Sequence, residues 1–301
     1  MISGDRHLLE PGNAAYERLQ VQRDQVDQLD VFVWPQVHSK LEIWHAARKN
    51  HYDVITTQDP FWRGLLAWKI ARLTGSKFNV QVHTDLKAQS FLRHVLAQII
   101  LRHADSVRVV SEKLKAQVKR INSTVSTHVL PIFIAVERFR SVVHIPSEQK
   151  RILWTGRFEE EKDPQLALQV VKDLRKQGID PELIMLGTGS LESSLKQGAQ
   201  GLNVLFPGWQ DTAAYLAKAD VVISTSKHES WGASIVEALA AKVPVVALDV
   251  GIAEEAGAII ATRDNFAATV LRVLQSGDKG DLKLKLYSKE EWTMNWKDSL
   301  L

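Results

Sequence analysis

The sequence contains no cysteine among its 301 residues, which excludes disulfides and cysteine-based zinc sites. It has no run of eighteen apolar residues, so no transmembrane helix is expected. The first residues, Met1–Arg6, become polar too early for a signal peptide, which favours a cytoplasmic location. No Asp-x-Asp pair with metal-ligand spacing and no Walker-type loop occurs. The 45% hydrophobic and 24% charged shares are those of a soluble globular protein.

Positive charge is concentrated in the first half of the chain. Residues 1–150 contain 21 Lys and Arg against 14 Asp and Glu, a net charge of +7; residues 151–301 contain 17 against 21, a net charge of −4. Nucleic acid, anionic lipid and a phosphate-bearing acceptor all fit a basic half. However, no basic run is interleaved with aromatic residues as in single-strand binders. Nucleic acid is therefore not a predicted partner.

Short β-rich runs alternate with amphipathic stretches along almost the whole chain. Five runs lie in each half: Val31–Trp34, Asp53–Thr57, Phe78–His83, Ser106–Val110, His128–Ile132, Arg151–Thr155, Glu182–Leu186, Asn203–Phe206, Asp220–Thr225 and Pro244–Leu248. The stretches Phe61–Leu73, Pro164–Gln177 and Ala233–Ala241 between them have helical spacing. Because the runs are continuously apolar, both faces of each sheet are expected to be covered. The pattern predicts an α/β fold of two Rossmann-like domains with parallel sheets.

The polar, aperiodic segment from Glu137 to Lys150 is the best domain boundary, because a fresh strand opens directly after it. We expect an N-terminal domain over 1–143 and a C-terminal domain over 144–287. A final helix over 288–301 carries Trp292 and Trp296, which share one face and should dock on an apolar surface. We expect this helix to pack back toward the first domain.

The loop after Arg151–Thr155 places two cations, Arg157 and Lys162, between Gly156 and a helix that starts near Pro164. Such a loop can present both cations to one diphosphate, since a guanidinium grips two oxygens and an ammonium supplies a point charge. Three glutamates lie between the cations, so a solvated charged turn is the alternative interpretation. Asp163 is expected to cap the helix.

A second polar segment follows the apolar run Asp220–Ile223. Gly232 permits a close backbone approach before a helix begins, and the N–H groups of a helix N-terminus favour a phosphate. Glu229 lies in the loop and Glu237 lies in the helix, so two carboxylates could hold two different diols beside that phosphate. Alone, Glu237 would be interpreted as an ordinary surface glutamate.

A third loop, Gly187–Ser190, is a poor dinucleotide fingerprint, because Glu192 stands where the pattern needs a small residue. This loop is better interpreted as a tight strand-to-helix turn than as an NAD site.

Together these segments resemble glycosyltransferase family 4, whose members are retaining enzymes with the GT-B architecture. The Glu-x7-Glu hallmark of that family is matched by Glu229 and Glu237, with His228–Gly232 before the helix and Val236–Ala240 within it. Further landmarks occur in the family's order at Val82–Asp85, Val109–Glu112, Val129–Ile132, Val136–Phe139, Gly156–Phe158, Phe206–Trp209 and Pro244–Ala247. The chain departs from the family in its short first strand and in Lys242, where a glycine is usual.

The resemblance implies a nucleotide-diphosphate-sugar donor of the UDP or GDP type as substrate, with no cofactor and no metal. Glu237 would accept from the ribose, Glu229 would hold the transferred sugar, and Arg157 and Lys162 would stabilise the departing diphosphate. His83 would donate to a sugar hydroxyl or help position the acceptor, which is a glycan or a lipid-linked molecule. The remaining donor contacts would come from Gly156, Gly187, Gly208, Trp231, Gly232, Ala233 and Ser234.

Three other functions remain open at this point. An epimerase or phosphorylase could use the same architecture, and a non-catalytic scaffold could bind a partner or glycan.

The basic stretch Leu86–His103 is either an ordinary surface helix or a transient contact with an anionic membrane. In the second case the protein would be peripheral at the inner face of the membrane.

Overall fold

The computed structural model describes residues 1–12, 14–229 and 231–301, and the chain divides into two compact units. The first unit comprises Met1–Phe133 and Leu286–Leu301, and the second comprises Ile134–Lys285. Each unit contains one six-stranded sheet in which all pairings are parallel, with helices packed on it. The predicted α/β fold with two Rossmann-like domains is confirmed.

All ten predicted strands are present, together with two short ones. In chain order the strands are β1 (Ile2–Ser3), β2 (Phe32–Val33), β3 (Val54–Thr57), β4 (Lys77–Val82), β5 (Ser106–Val109), β6 (Ser126–Val129), β7 (Arg151–Thr155), β8 (Glu182–Leu186), β9 (Val204–Gly208), β10 (Val221–Ser224), β11 (Val245–Ala247) and β12 (Ile259–Ile260). Their order is β2-β1-β3-β4-β5-β6 in the first unit and β12-β11-β10-β7-β8-β9 in the second. Both sheets thus have the crossover connections of βαβ units.

Helices connect most of these strands. They are α1 (Ala14–Arg23), α2 (Lys40–Asn50), α3 (Trp62–Thr74), α4 (Phe91–Arg102), α5 (Glu112–Ile121), α6 (Glu137–Arg140), α7 (Pro164–Lys176), α8 (Glu192–Gly198), α9 (Thr212–Leu216), α10 (Ala233–Ala240), α11 (Ala253–Ala256), α12 (Phe266–Ser276) and α13 (Lys289–Asp298). Within the described residues, none of these helices is long and apolar enough to span a membrane.

The C-terminal helix α13 belongs to the first unit, as expected. It opens with a capping box between Ser288 and Glu291, and it buries Trp292 and Trp296 against an apolar cluster. The buried amide of Asn79 on β4 donates to the Ser299 carbonyl at 2.8 Å. Polar groups on the sheet therefore satisfy carbonyls at the end of the helix, which would otherwise be buried without partners.

The second unit is organised around the centre of its sheet. Helix α7 turns one face inward through Leu166, Val170 and Leu174, four residues apart, and packs beside α12. Trp154 on β7 and Phe158 in the following loop are both fully buried in the same core. The end of β7, where the chain leaves the sheet toward α7, is thus closely packed.

The division between the units falls earlier than the predicted boundary at residue 143. Residues 134–143 lie with the second unit because α6 packs on α10 and buries Phe139 completely. The sequence of the Val136–Phe139 segment does not indicate which unit it joins. The packing of α6 on α10 shows that it belongs to the second unit. Strand β12 was not predicted, since a pair of residues is too short to form a pattern.

Candidate functional site

The loop between β7 and α7 carries both predicted diphosphate cations. It passes through a 3-10 turn at Glu160–Lys162 and enters α7 with Pro164 in the first turn. The expected side-chain cap by Asp163 is wrong: its backbone is left-handed (φ 46°), and it makes no capping hydrogen bond. Its buried carboxylate pairs instead with Arg263. This ion pair fixes the chain immediately after Lys162.

Lys162 and Glu229 meet, although they are 67 residues apart in the sequence. The Lys162 ammonium forms an ion pair with the Glu229 carboxylate, and the Ser226 hydroxyl donates to the same carboxylate oxygen at 2.8 Å. The two charged side chains are only 21% and 13% exposed. The alternative of a solvated charged turn therefore does not describe Lys162.

Arg157 lies in a different environment. Its guanidinium is 62% exposed and contacts the Glu161 carboxylate at 2.6 Å. An exposed pair of this kind contributes little to stability, because water and salt screen it. Arg157 is therefore available to exchange Glu161 for an anionic ligand.

One buried hydroxyl joins the loop after β7 to the loop after β10. Thr225 accepts a 2.8 Å hydrogen bond from the indole of Trp154 and donates at 2.9 Å to the carbonyl of Lys162. A second link runs from the Lys227 amide to the Glu161 carbonyl at 2.8 Å. These bonds explain how the two loops hold Lys162 and Glu229 at the carboxyl edge of the sheet.

The predicted site glycines allow two strand ends to approach each other closely. Gly156 donates to the Leu186 carbonyl and Gly187 donates to the Gly208 carbonyl, both at 3.0 Å. A Cβ on Gly187, whose φ is 140°, would lie 1.8 Å from the Gly156 oxygen. No side chain fits there, so Gly187 is required by the backbone approach. The loop continues into α8 as a tight turn.

Helix α10 begins at the predicted phosphate site. Its N-cap, Gly232, has a left-handed backbone (φ 108°), and Ala233 at the first helical position is exposed. Trp231 is fully buried, and its carbonyl accepts from the Ile252 amide at 3.0 Å. Ser234 is half-buried beside the helix start. Ser230 of the quoted motif lies outside the described residues.

Glu237 is not an ordinary surface glutamate. Burial raises its pKa to about 7; Arg138 opposes this shift and Asp211 adds to it. Near neutral pH this carboxyl is therefore partly protonated and can both accept and donate hydrogen bonds. A ribose diol presents groups of both kinds.

Gly208 and Trp209 form the open rim at the end of β9. Gly208 has a left-handed backbone (φ 78°), and a Cβ built on it would meet nothing within 4 Å. The Trp209 ring is 61% exposed. A flat aromatic face beside open backbone suits contact with another planar ring.

His83 lies in the first unit, at the end of β4. Burial, together with the nearby cations Arg108 and Arg18, lowers the pKa of its imidazole to about 3. Its Nε2 atom is buried and has no hydrogen-bond partner within the described part of the chain. His83 is therefore neutral at physiological pH and can use its ring nitrogens only as neutral donor and acceptor.

Several functional residues were missed in the sequence. Thr225, Ser226 and Arg263 act through partners that are distant along the chain, so no local pattern indicates them. Arg108 interrupts an apolar strand, and a buried arginine there is a signal that could have been used.

Across residues 1–12, 14–229 and 231–301, no cluster of His, Asp or Glu could hold a metal ion.

Comparison with known proteins supports the resemblance for the second unit. Residues 149–276 match the family model described as glycosyl transferases group 1, and this stretch includes Lys162, Glu229 and Glu237. The chain is 28% identical over 232 residues to alpha-monoglucosyldiacylglycerol synthase of Streptococcus pneumoniae, covering 67% of this chain and 53% of that protein. It is 28% identical over 192 residues to the putative teichuronic acid biosynthesis glycosyltransferase TuaC of Bacillus subtilis, covering 60% and 47%.

The chain thus spans about half the length of these curated relatives. Among solved structures, HepE of Anabaena in complex with UDP-glucose matches with a TM-score of 0.70 at 17% identity. The match covers 96% of this chain and 86% of HepE. At this identity the likeness shows the fold, which is the GT-B type with two parallel-sheet domains.

The raised pKa of Glu237 predicts a pH-dependent stability. The folded-state pKa of about 7 lies above the unfolded value near 4.5, so folding is favoured at low pH and loses stability as pH rises through this window. Between pH 4.5 and 8, wild type should lose on the order of 3 kcal/mol relative to Glu237→Gln. Chemical unfolding at several pH values measures the difference.

Glu254→Gln is the matched control, because Glu254 is an exposed glutamate of the same unit. Its unfolding free energy should run parallel to wild type over the same pH range. Parallel curves for Glu237→Gln and wild type would show that this carboxyl is not perturbed by burial.

Proposed function

We propose that the protein is a retaining, metal-independent glycosyltransferase, and that its second unit binds a nucleotide-diphosphate hexose. The observation that carries the proposal is the shared position of Lys162, Glu229 and the start of α10 at the ends of β7 and β10. In open α/β sheets, ligands bind outside the carboxyl ends of the strands. A cation, a carboxylate and a helix N-terminus together match the phosphate and hydroxyl groups of such a donor.

The diphosphate would lie against Lys162 and Arg157. Each cation pairs with a carboxylate in the structure, Lys162 with Glu229 and Arg157 with Glu161. When the donor binds, its phosphate oxygens would replace the carboxylates as partners of these cations, since a diphosphate carries more negative charge than one carboxylate. Glu229 would then turn its oxygens to the hydroxyls of the transferred sugar. The ion pair thus keeps both side chains ordered before binding.

The nucleoside would lie along α10 and the end of β9. Glu237, with its pKa raised to about 7, would bind the ribose hydroxyls, and the backbone around Gly208 would approach the base. Gly156, Gly187 and Gly232 would let the donor approach main-chain N–H groups. Ala233 and Ser234 would supply amides of the first helical turn to the phosphates.

In the transfer step, the bond between the anomeric carbon and the phosphate oxygen breaks while the acceptor hydroxyl oxygen bonds to that carbon on the same face. The acceptor proton moves to the departing phosphate oxygen, so no protein base is needed. Lys162, Arg157 and the α10 amides would stabilise the charge that develops on the diphosphate. Preorganised donors of this kind replace the charge that a metal would supply.

The comparisons support the donor class and indicate acceptor classes. HepE, which shares the fold, was solved with UDP-glucose, and the pneumococcal relative is named for glucosylation of a diacylglycerol. A mycobacterial relative, 31% identical over 130 residues, is named as a mannosyltransferase acting on a phosphatidylinositol dimannoside. We therefore infer a glycan or lipid-linked acceptor, with His83 as a positioning group on the first unit.

Some features of the first unit support contact with an anionic membrane. Phe91 and Leu92 at the start of α4 are 84% and 56% exposed, and Lys87, Arg93 and Arg102 lie on the same short segment as exposed cations. Exposed aromatic and aliphatic side chains beside cations are typical of helices that lie at a lipid surface. Such a contact would place a lipid-linked acceptor near the protein.

Removal of the Lys162 ammonium tests the proposed donor site. Lys162→Ala should reduce sugar transfer from the nucleotide sugar by about 10²- to 10³-fold, because one charge-stabilising contact is lost in the transition state. Glu229→Gln should lower transfer as well, since the amide has no negative charge and replaces one of the two acceptor oxygens with a donor. The measurement is release of nucleoside diphosphate coupled to glycosylated product.

Lys172→Ala serves as the matched control, because Lys172 is an exposed lysine of α7 in the same unit. It should transfer sugar at the wild-type rate. Full transfer by Lys162→Ala would refute the site. Diphosphate release without any glycosylated product would favour an epimerase instead, and strict dependence of the reaction on phosphate would favour a phosphorylase.

The membrane contact is tested with vesicles. The protein should co-sediment with vesicles rich in phosphatidylglycerol at low salt, and Phe91→Ser with Leu92→Ser should weaken this binding about tenfold or more, because two exposed apolar side chains are removed. Val143→Ser, which alters an exposed apolar residue of the second unit, should bind like wild type. Absence of wild-type binding at low salt would contradict the membrane contact.

A further inference from the structure

The first unit contains a buried cation that lacks a carboxylate partner. Arg108, on strand β5 next to the edge strand β6, is only 2% exposed. Its guanidinium donates to Gln81 at 2.9 Å and to the carbonyls of Leu130 and Pro131 at 3.2 and 3.3 Å, and it stacks over the Trp292 ring. Its Nε atom is buried and has no partner among the described residues, and Arg108 belongs to none of the ion pairs in that part of the chain. A buried charge of this kind is expensive unless an anion joins it.

A second cation and a neutral imidazole share this environment. Burial lowers the pKa of Arg108 to about 9, and Arg18 contributes to the same shift. The pKa of Arg18 is itself lowered by burial, against the opposing effect of Asp5. The His83 Nε2 atom is the other buried polar atom that has no described partner here. Two arginines therefore face one carboxylate, which leaves a local excess of positive charge.

These groups line one small cavity. Its volume is about 100 Å³, and its polar lining comprises Asp5, Arg18, Gln22, Gln58, His83 and Arg108. Trp292 and Ile132 form part of its apolar wall. A water molecule occupies about 30 Å³ in the liquid, so the cavity has room for about three waters or for one group of phosphate size. The glutamine amides and the unpartnered imidazole can act as hydrogen-bond donors to such a group.

We propose that this cavity, the anion pocket, binds a phosphoryl group of the acceptor. A phosphoryl group supplies the missing negative charge and has two strong acceptor oxygens as a diester, or three as a monoester, for the donors that converge there. The chemistry of the pocket requires only the anion; that the anion belongs to the acceptor rests on the proposed glycosyl transfer. His83 then acts as a neutral positioning residue for this group.

Titration with inorganic phosphate tests the anion pocket directly. Phosphate should bind wild type by calorimetry, and Arg18→Gln should weaken this binding at least about tenfold, because one charge-assisted contact is lost. Arg18 is half-buried, so the variant should fold. Arg120→Gln, which neutralises an exposed arginine of the same unit, should bind phosphate like wild type.

A second variant separates this pocket from the donor site. Lys162→Ala alters only the second unit and should leave the phosphate binding that depends on Arg18 intact. If phosphate binding is absent from wild type, unaffected by Arg18→Gln, or lost only in Lys162→Ala, the anion pocket is refuted. Sugar transfer plays no part in this readout, so failure of the pocket and failure of the proposed function can be told apart.

A spectroscopic readout locates the bound anion. In protein labelled with carbon-13 histidine, phosphate should shift the His83 ring signal, assigned with His83→Gln, and should leave in place the signal of the exposed His144, which belongs to neither proposed site. An unshifted His83 signal at saturating phosphate would overturn the assignment.

Competition then identifies the source of the phosphoryl group. Displacement of phosphate by glycerol 3-phosphate at the lower concentration supports a soluble phosphorylated acceptor, and displacement by dihexanoyl phosphatidylglycerol supports a lipid headgroup. Displacement by neither compound would overturn the assignment of the pocket to the acceptor.

Discussion

The proposed donor site depends on how the polar groups at the end of β7 are satisfied. The Thr225 hydroxyl lies in the core between an indole donor and the carbonyl of Lys162, so it fixes one loop against the other. Since an unsatisfied buried polar group costs about 1–3 kcal/mol, the two loops are strongly held in this arrangement. The Lys162–Glu229 pair follows from it, because the two side chains leave loops whose backbones are already joined.

Close backbone packing supplies the rest of the site. Gly187 has no space for a side chain beside Gly156, and Gly251 would clash through a Cβ with the Trp231 carbonyl. These contacts bring bare main chain to the carboxyl edge of the sheet, where a donor needs N–H groups and room. The chemistry of the second unit is therefore set by backbone geometry, and the charged side chains add to it.

The fold could be predicted from the sequence much further than the site. Continuous apolar runs predicted every strand of four or more residues, because a strand that is buried on both faces has apolar residues in sequence. Lys162, Glu229 and Glu237 stay predicted site residues, drawn from an ordered motif, and the structure places the first two in contact. The pairing of Asp163 with Arg263 and the bond of Thr225 to Lys162 could not be, because they join residues 100 and 63 positions apart. The raised pKa of Glu237 likewise depends on packing that no single segment encodes.

The most direct test of the central claim is a thermal-shift panel with UDP, GDP and ADP on wild type and Lys162→Ala. A ligand that binds only the folded state raises the unfolding temperature, and the shift grows with the ligand concentration relative to Kd. At least one of the three nucleotides should raise the unfolding temperature of wild type, and the same nucleotide should have a much smaller effect on Lys162→Ala. If no nucleotide shifts wild type, or if both proteins shift equally, the second unit does not hold a nucleotide diphosphate in the way described.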